Sequence, residues 1–167
     1  MLNGTLAGAI GGLAGTWAMN EAQRIWTHAV DGEAPQAAGG KHDARDWQER
    51  DEGRNSNQIA AQALAAAVIG RHLDRRELAV AAPLVHFTFG AVVGALYGSV
   101  THRHTRTATG IGFGLVVWLL ADEIAMPLLG LSQSTLRRPA EKRLQSIAAH
   151  AVFGMTTEAT RRAIQHP

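Results

Sequence analysis

From position 78 to position 100 the chain carries no Asp, Glu, Lys or Arg. An uncharged stretch of that length meets the roughly 20 residues that an α-helix needs to cross a bilayer. Backbone polar groups in hydrocarbon must bond to one another, so such a stretch has one regular solution within a single segment, the helix. The run 108–131 is as long, and its only charges are Asp122 and Glu123. Two weaker runs, 6–29 and 144–164, each carry an acid and arginine toward the C-terminal end. The mean hydropathy of −0.05 hides this pattern. It averages apolar runs with a polar insert, and more than half of the charged residues lie between Asp31 and Glu77. The competing reading is a soluble, Ala-rich helical domain with two buried helices. The first residues lack the basic region of a signal peptide, so 6–29 reads as a retained helix.

These runs define an expected architecture: an all-α, four-helix transmembrane bundle made of two tandem helical hairpins, in a single membrane domain over 1–167. The insert 30–77 opens with a Gly/Pro/Ala linker and continues as a mixed-charge stretch, 41–54, read as a solvated segment. Asn55, Ser56 and Asn57 offer helix N-caps. An amphipathic helix is expected at about 58–73, with Ile59, Ala63, Leu64, Ala67 and Val68 on one face. Interfacial placement is the first reading of that helix, and a fifth span the second. The insert and the loop 132–143 hold most of the loop Lys and Arg, so the positive-inside rule puts them on the cytoplasmic side.

Two short patterns recur in order. His86 to Gly90 and His150 to Gly154 both read H-x-x-F-G. Each is preceded by an apolar run with a Trp followed by acid, Trp17 to Glu21 and Trp118 to Asp122 and Glu123. Ordered recurrence of two segments suggests an internal duplication. Small and polar residues recur every fourth position: Gly4, Gly8, Gly12, Thr16, Asn20; His86, Gly90, Gly94, Gly98; Gly110, Gly114, Trp118, Asp122; and His150, Gly154, Glu158. Small-xxx-small stripes let helices approach closely in lipid, and they exceed what a monomer needs, so a homo-oligomer or membership of a larger membrane complex is expected.

With alternate runs antiparallel, Asn20, Glu21, His86, Asp122, Glu123 and His150 fall at one depth, roughly 10 Å from the basic side. Ionisable groups in a membrane are costly to keep, which makes this layer the candidate site. Three chemistries suit it. Carboxylates and imidazoles can share protons or hold a cation. Facing His and carboxylate side chains can bind metal, with His86, His150, Glu21 and Glu123 as candidates, although the Glu-x-x-His spacing of dinuclear centres is absent. His86 and His150 can also ligate haem. Against all three stands a purely structural role as interhelical hydrogen bonds. Glu158, beside Arg161 and Arg162, reads as a peripheral helix-end ion pair. His102 and His104 read as solvated turn residues, and His28, His42, His72 and His166 follow no pattern.

Other classes are disfavoured. Without cysteine there is no disulfide, thiolate metal site or Cys nucleophile. No phosphate loop, nucleophile elbow or HExxH is present, so enzymatic activity is not the expected role. A net charge of only +2 argues against a nucleic-acid partner. The run from Leu6 to Asn20, the His86 and His150 motifs, Gly94-Ala95-Leu96-Tyr97-Gly98, Trp118 with Ala121-Asp122-Glu123 and Pro127, and Thr156-Thr157-Glu158 together resemble the YagU-type family of small bacterial inner-membrane proteins. The resemblance implies a multi-pass inner-membrane protein of a family without assigned chemistry. The insert is more charged than the family suggests, and 132–143 lacks its Pro/Thr/Tyr-rich stretch.

Overall fold

The computed structural model describes residues 3–31, 56–101, 106–131 and 139–165, and every regular element among them is helical. Helix α1 is Gly4–Trp26 and runs on into a π-helical turn, Thr27–Asp31. Helix α2 is Ser56–Ile69 and α3 is Arg75–Val100. Helix α4, Thr107–Leu128, is α-helical to Trp118, π-helical over Leu119–Ala125 and ends in the turn Met126–Leu128. Helix α5 is Ala140–Gln165. Asn3 starts α1 by accepting a hydrogen bond from the Leu6 N–H at 2.8 Å.

The amphipathic helix expected at about 58–73 is corrected in both its end and its face. It stops at Ile69 because Gly70 takes a φ of +68°, a left-handed conformation that closes helices. Its packing face holds Ala61 and Ala65, both buried, and Ala61 lies against Leu78 and Ala82 of α3. Leu64 and Val68 stand outward at 52% and 71% exposure. Small alanines let the α2 backbone come close to α3, which leaves the bulkier side chains outside. Asn55 and the charged stretch 41–54 lie outside the described residues, as do His42, His102, His104 and His166.

The α2–α3 turn is held at several points. The Gln62 amide donates to the Leu73 carbonyl at 3.2 Å and accepts from the Leu73 N–H at 2.9 Å. Asp74 and Glu77 form a reciprocal capping box at the start of α3. Arg71 donates to both Glu77 oxygens, at 2.7 and 2.6 Å. Around Gly70 a Cβ would meet nothing within 4 Å, so only its backbone conformation resists substitution. Gly70→Ala is therefore expected to destabilise the protein by about 1 kcal/mol in denaturant titration, and an unchanged midpoint would show that the turn does not need the left-handed residue.

Helix α1 lies between α3 and α5, α2 packs on the outer side of α3, and α4 packs on α5. The α1–α3 contact is backbone against backbone. A Cβ on Gly8 or Gly12 would fall on the carbonyl oxygen of Gly94 or Gly90 respectively. The α4–α5 contact repeats this, with Gly114 against the His150 carbonyl and Gly154 against the Gly110 carbonyl. Met19, Val117, Ala149 and Phe153 form the central apolar cluster, with Val93 and Phe113 packed against it. Tyr97 of α3 stacks on Phe113 of α4 at 4.2 Å between ring centres. Helices α3 and α4 are long and apolar enough to cross a membrane, yet only 17% and 11% of their apolar windows are buried.

Candidate functional site

The π-helical stretch of α4 is where its two acids sit, and Pro127 accounts for its end. The Met126 N–H bonds to the Ala121 carbonyl, five residues back, and Pro127 has no N–H. The Asp122 carbonyl is thus left without its usual donor from the next turn. Wide turns of this kind are frequent at functional sites. The Asp122 carboxylate accepts a hydrogen bond from the Ser146 hydroxyl of α5 at 3.0 Å. One turn along α5, His150 Nδ1 lies 2.9 Å from the Ser146 carbonyl oxygen. A carbonyl can only accept, so Nδ1 carries the proton and Nε2 is the basic nitrogen of the neutral ring. Ser146 in this way links the carboxylate of one helix to the buried imidazole of the next.

His86 lies on α3. Its Nε2 is buried and has no hydrogen-bond partner among the described residues, as is also true of the indole N–H groups of Trp26 and Trp118. His86 borders an open cavity of about 650 Å³ between α1, α2 and α3. Asn20, Glu21 and Arg24 from α1, Asn57 and Gln58 from α2, and Ala79 and Pro83 from α3 also line it. Pro83 is an interior helix residue without an N–H, so the Ala79 carbonyl is freed from the helix ladder beside this space.

Of the six residues expected in one layer, Asn20, Glu21 and His86 line the cavity, while Asp122 and His150 are joined through Ser146. Glu21 is not held in the bundle. Its carboxylate pairs with Arg24 at 3.2 Å and its side chain is 39% exposed. The reason is positional: Glu21 and Arg24 share the α1 face that borders the cavity. Glu123 follows Asp122 in the π-helical stretch and is half-buried. Among the described residues no three His, Asp or Glu side chains are grouped to hold a metal ion.

A second polar group lies where the sequence suggests only a helix-end ion pair. Glu158 and Arg161 are both fully buried. Arg161 Nε and Nη2 donate to the two Glu158 oxygens at 2.8 and 3.0 Å, the Tyr97 hydroxyl donates to Glu158 at 3.0 Å, and Arg161 Nη1 donates to the Gln165 side-chain oxygen. The guanidinium also lies 5.9 Å from the Tyr97 ring centre. The sequence does hold a usable signal, because His150, Gly154, Glu158, Arg161 and Gln165 follow helical spacing on one face. Glu158 lies about 12 Å along α5 from His150, so this is a separate level of the bundle.

The two H-x-x-F-G segments are used differently. Gly90 and Gly154 both meet a neighbouring helix backbone. Phe153 is 3% exposed in the core, whereas Phe89 is 46% exposed on the outer surface. Helix α5 packs against both α1 and α4, whereas α3 packs chiefly against α1 and, near its start, against α2.

No curated protein and no solved structure matches the chain. A family model described as a protein of unknown function (DUF1440) matches residues 62–159. The match takes in His86, Asp122, Ser146, His150, Tyr97 and Glu158, and leaves out α1 with Asn20 and Glu21. By that match over more than half its length, the chain belongs to this family, the YagU-type proteins of unknown function.

Proposed function

We propose that this is a multi-pass protein of the bacterial inner membrane in which His86, Asp122 and His150 pass protons. In this reading α1, α3, α4 and α5 cross the bilayer as two tandem hairpins derived from one duplicated unit. The outward-facing apolar surfaces of α3 and α4 support the membrane placement, since lipid would cover what the protein does not. The observation that carries the relay is the buried Nε2 of His86, without a hydrogen-bond partner among the described residues, beside an open cavity, in a bundle that also holds the part-buried Asp122–Ser146–His150 string. A neutral imidazole accepts a proton at one nitrogen and releases one from the other, so His86 can exchange protons with the cavity. His150, with Nδ1 tied to the Ser146 carbonyl, has Nε2 as the acceptor for the next transfer.

The deciding measurement is proton flux in proteoliposomes holding the purified full chain. Wild type is expected to exceed empty vesicles, and His86→Ala and Asp122→Asn are each expected to lower the flux at least tenfold. Equal flux in all three, at the level of empty vesicles, would remove the relay. That outcome would favour the second reading, an accessory subunit of a larger membrane complex. It is supported by the same Ser146–Asp122 bond, which ties α4 to α5 without any transported species.

A further inference from the structure

We infer that the cavity beside α1 binds the headgroup of a membrane phospholipid carrying both a phosphate and a primary ammonium group, with the acyl chains along the apolar face of α1. The inference rests on the membrane placement proposed above, but not on the relay. Leu6, Ile10, Leu13 and Trp17 follow one another at helical spacing and are 47%, 38%, 43% and 61% exposed. The same spacing continues into Asn20, Glu21, Arg24 and His28, all of which line the cavity. A single face of one helix thus changes from apolar to polar between Trp17 and Asn20, and the change occurs at a cavity.

The dimensions fit. Leu6 to Trp17 spans about 16 Å of helix along which an acyl chain can lie. A volume of about 650 Å³ lies within the range of small-ligand sites and accommodates a phospholipid headgroup.

The charges select among headgroups. Glu21 and Arg24 form an exposed pair, 3.2 Å apart, at the mouth of the cavity. A phosphodiester bonds the guanidinium, and a primary ammonium donates hydrogen bonds to the carboxylate. A zwitterionic amine headgroup therefore replaces one ion pair with two. A phosphoglycerol headgroup takes Arg24 from Glu21 and offers the carboxylate no cation in return. A trimethylammonium has no N–H to give the carboxylate. The amides of Asn20, Gln23 and Asn57 supply neutral donors and acceptors for glycerol and ester oxygens.

The test is native mass spectrometry of the full chain released from vesicles with equal parts of phosphoethanolamine, phosphocholine and phosphoglycerol lipids of identical acyl chains. Wild type is expected to retain the phosphoethanolamine lipid at least fivefold over either of the others. Glu21→Gln, which keeps the side-chain shape, is expected to reduce that preference to no more than the phosphocholine level, and Arg24→Gln to lower retention of all three. Equal retention of the three lipids by wild type, or an unchanged preference in Glu21→Gln, would overturn the site. Free glycerophosphoethanolamine competing as well as the diacyl lipid would overturn the role given to the α1 stripe. Alkaline washing of the source membranes reports the membrane placement separately. Protein that stays in the pellet without a lipid preference refutes the lipid site alone, while wild type that washes off refutes both.

Discussion

A Gly154→Val protein is expected to lose more than about 3 kcal/mol of stability, enough that little folded material survives detergent extraction. A Cβ at this position would fall on the Gly110 carbonyl oxygen and lie 2.5 Å from the Gly114 nitrogen and 2.8 Å from its Cα. All three are main-chain atoms of α4, so no side-chain rotamer can make room and the two helices must separate. Separation also pulls Ser146 from Asp122, because that bond crosses the same interface. Gly112 provides the control. It lies in α4 between Gly110 and Gly114, and a Cβ added there would meet nothing within 4 Å, so Gly112→Ala is expected to be neutral or slightly stabilising through helix propensity alone. Denaturant titration in detergent, followed by circular dichroism, compares the two. Similar midpoints for both variants would mean that α4 and α5 do not pack through these glycines.

The second large effect concerns the buried ion pair. Glu158→Gln is expected to cost about 3–5 kcal/mol, because it leaves the guanidinium of Arg161 buried without its counter-charge. Replacing both members, as Glu158→Leu with Arg161→Met, is expected to cost less than the single change. A buried pair gains little over apolar groups of similar volume, whereas half a pair is a desolvated charge. Tyr97→Phe removes one hydrogen bond to the carboxylate and is expected to cost about 1 kcal/mol. The same titration reads all three. A single variant more stable than the double would show that Glu158 and Arg161 do not face each other inside the bundle.

Helix positions were legible because length and charge mark them directly. The uncharged run 78–100 lies within α3, and 108–131 overlaps α4, since Asp74 and Glu77 begin one helix and Gly130, at φ +66°, follows the end of the other. Two acids do not interrupt α4, because a π-helical turn accommodates them and Pro127 ends it. The first-loop helix was harder to place. Its large apolar residues suggested a face, but packing against α3 used Ala61 and Ala65, because close approach selects for small side chains rather than hydrophobic ones.

The candidate site was legible as a set of residues and not as a geometry. Spacing along a helix gives the depth of a side chain, and depth brought Asn20, Glu21, His86, Asp122, Glu123 and His150 to one level. It does not say which neighbour each one faces. That depends on how each helix is rotated about its axis, and rotation is set by which glycines meet which backbone. Gly90 against Gly12 and Gly114 against the His150 carbonyl are contacts between residues far apart in the chain, with no local signature.

The sequence by itself therefore determined that the chain is helical and where its helices run, because these follow from local composition and the helical repeat. Only the tertiary structure decided that Glu21 pairs with Arg24 at a cavity, that Ser146 joins Asp122 to His150, and that Glu158 and Arg161 are sealed inside. Each of those outcomes depends on helix order and rotation, which are fixed by packing between distant segments rather than by the residues on either side.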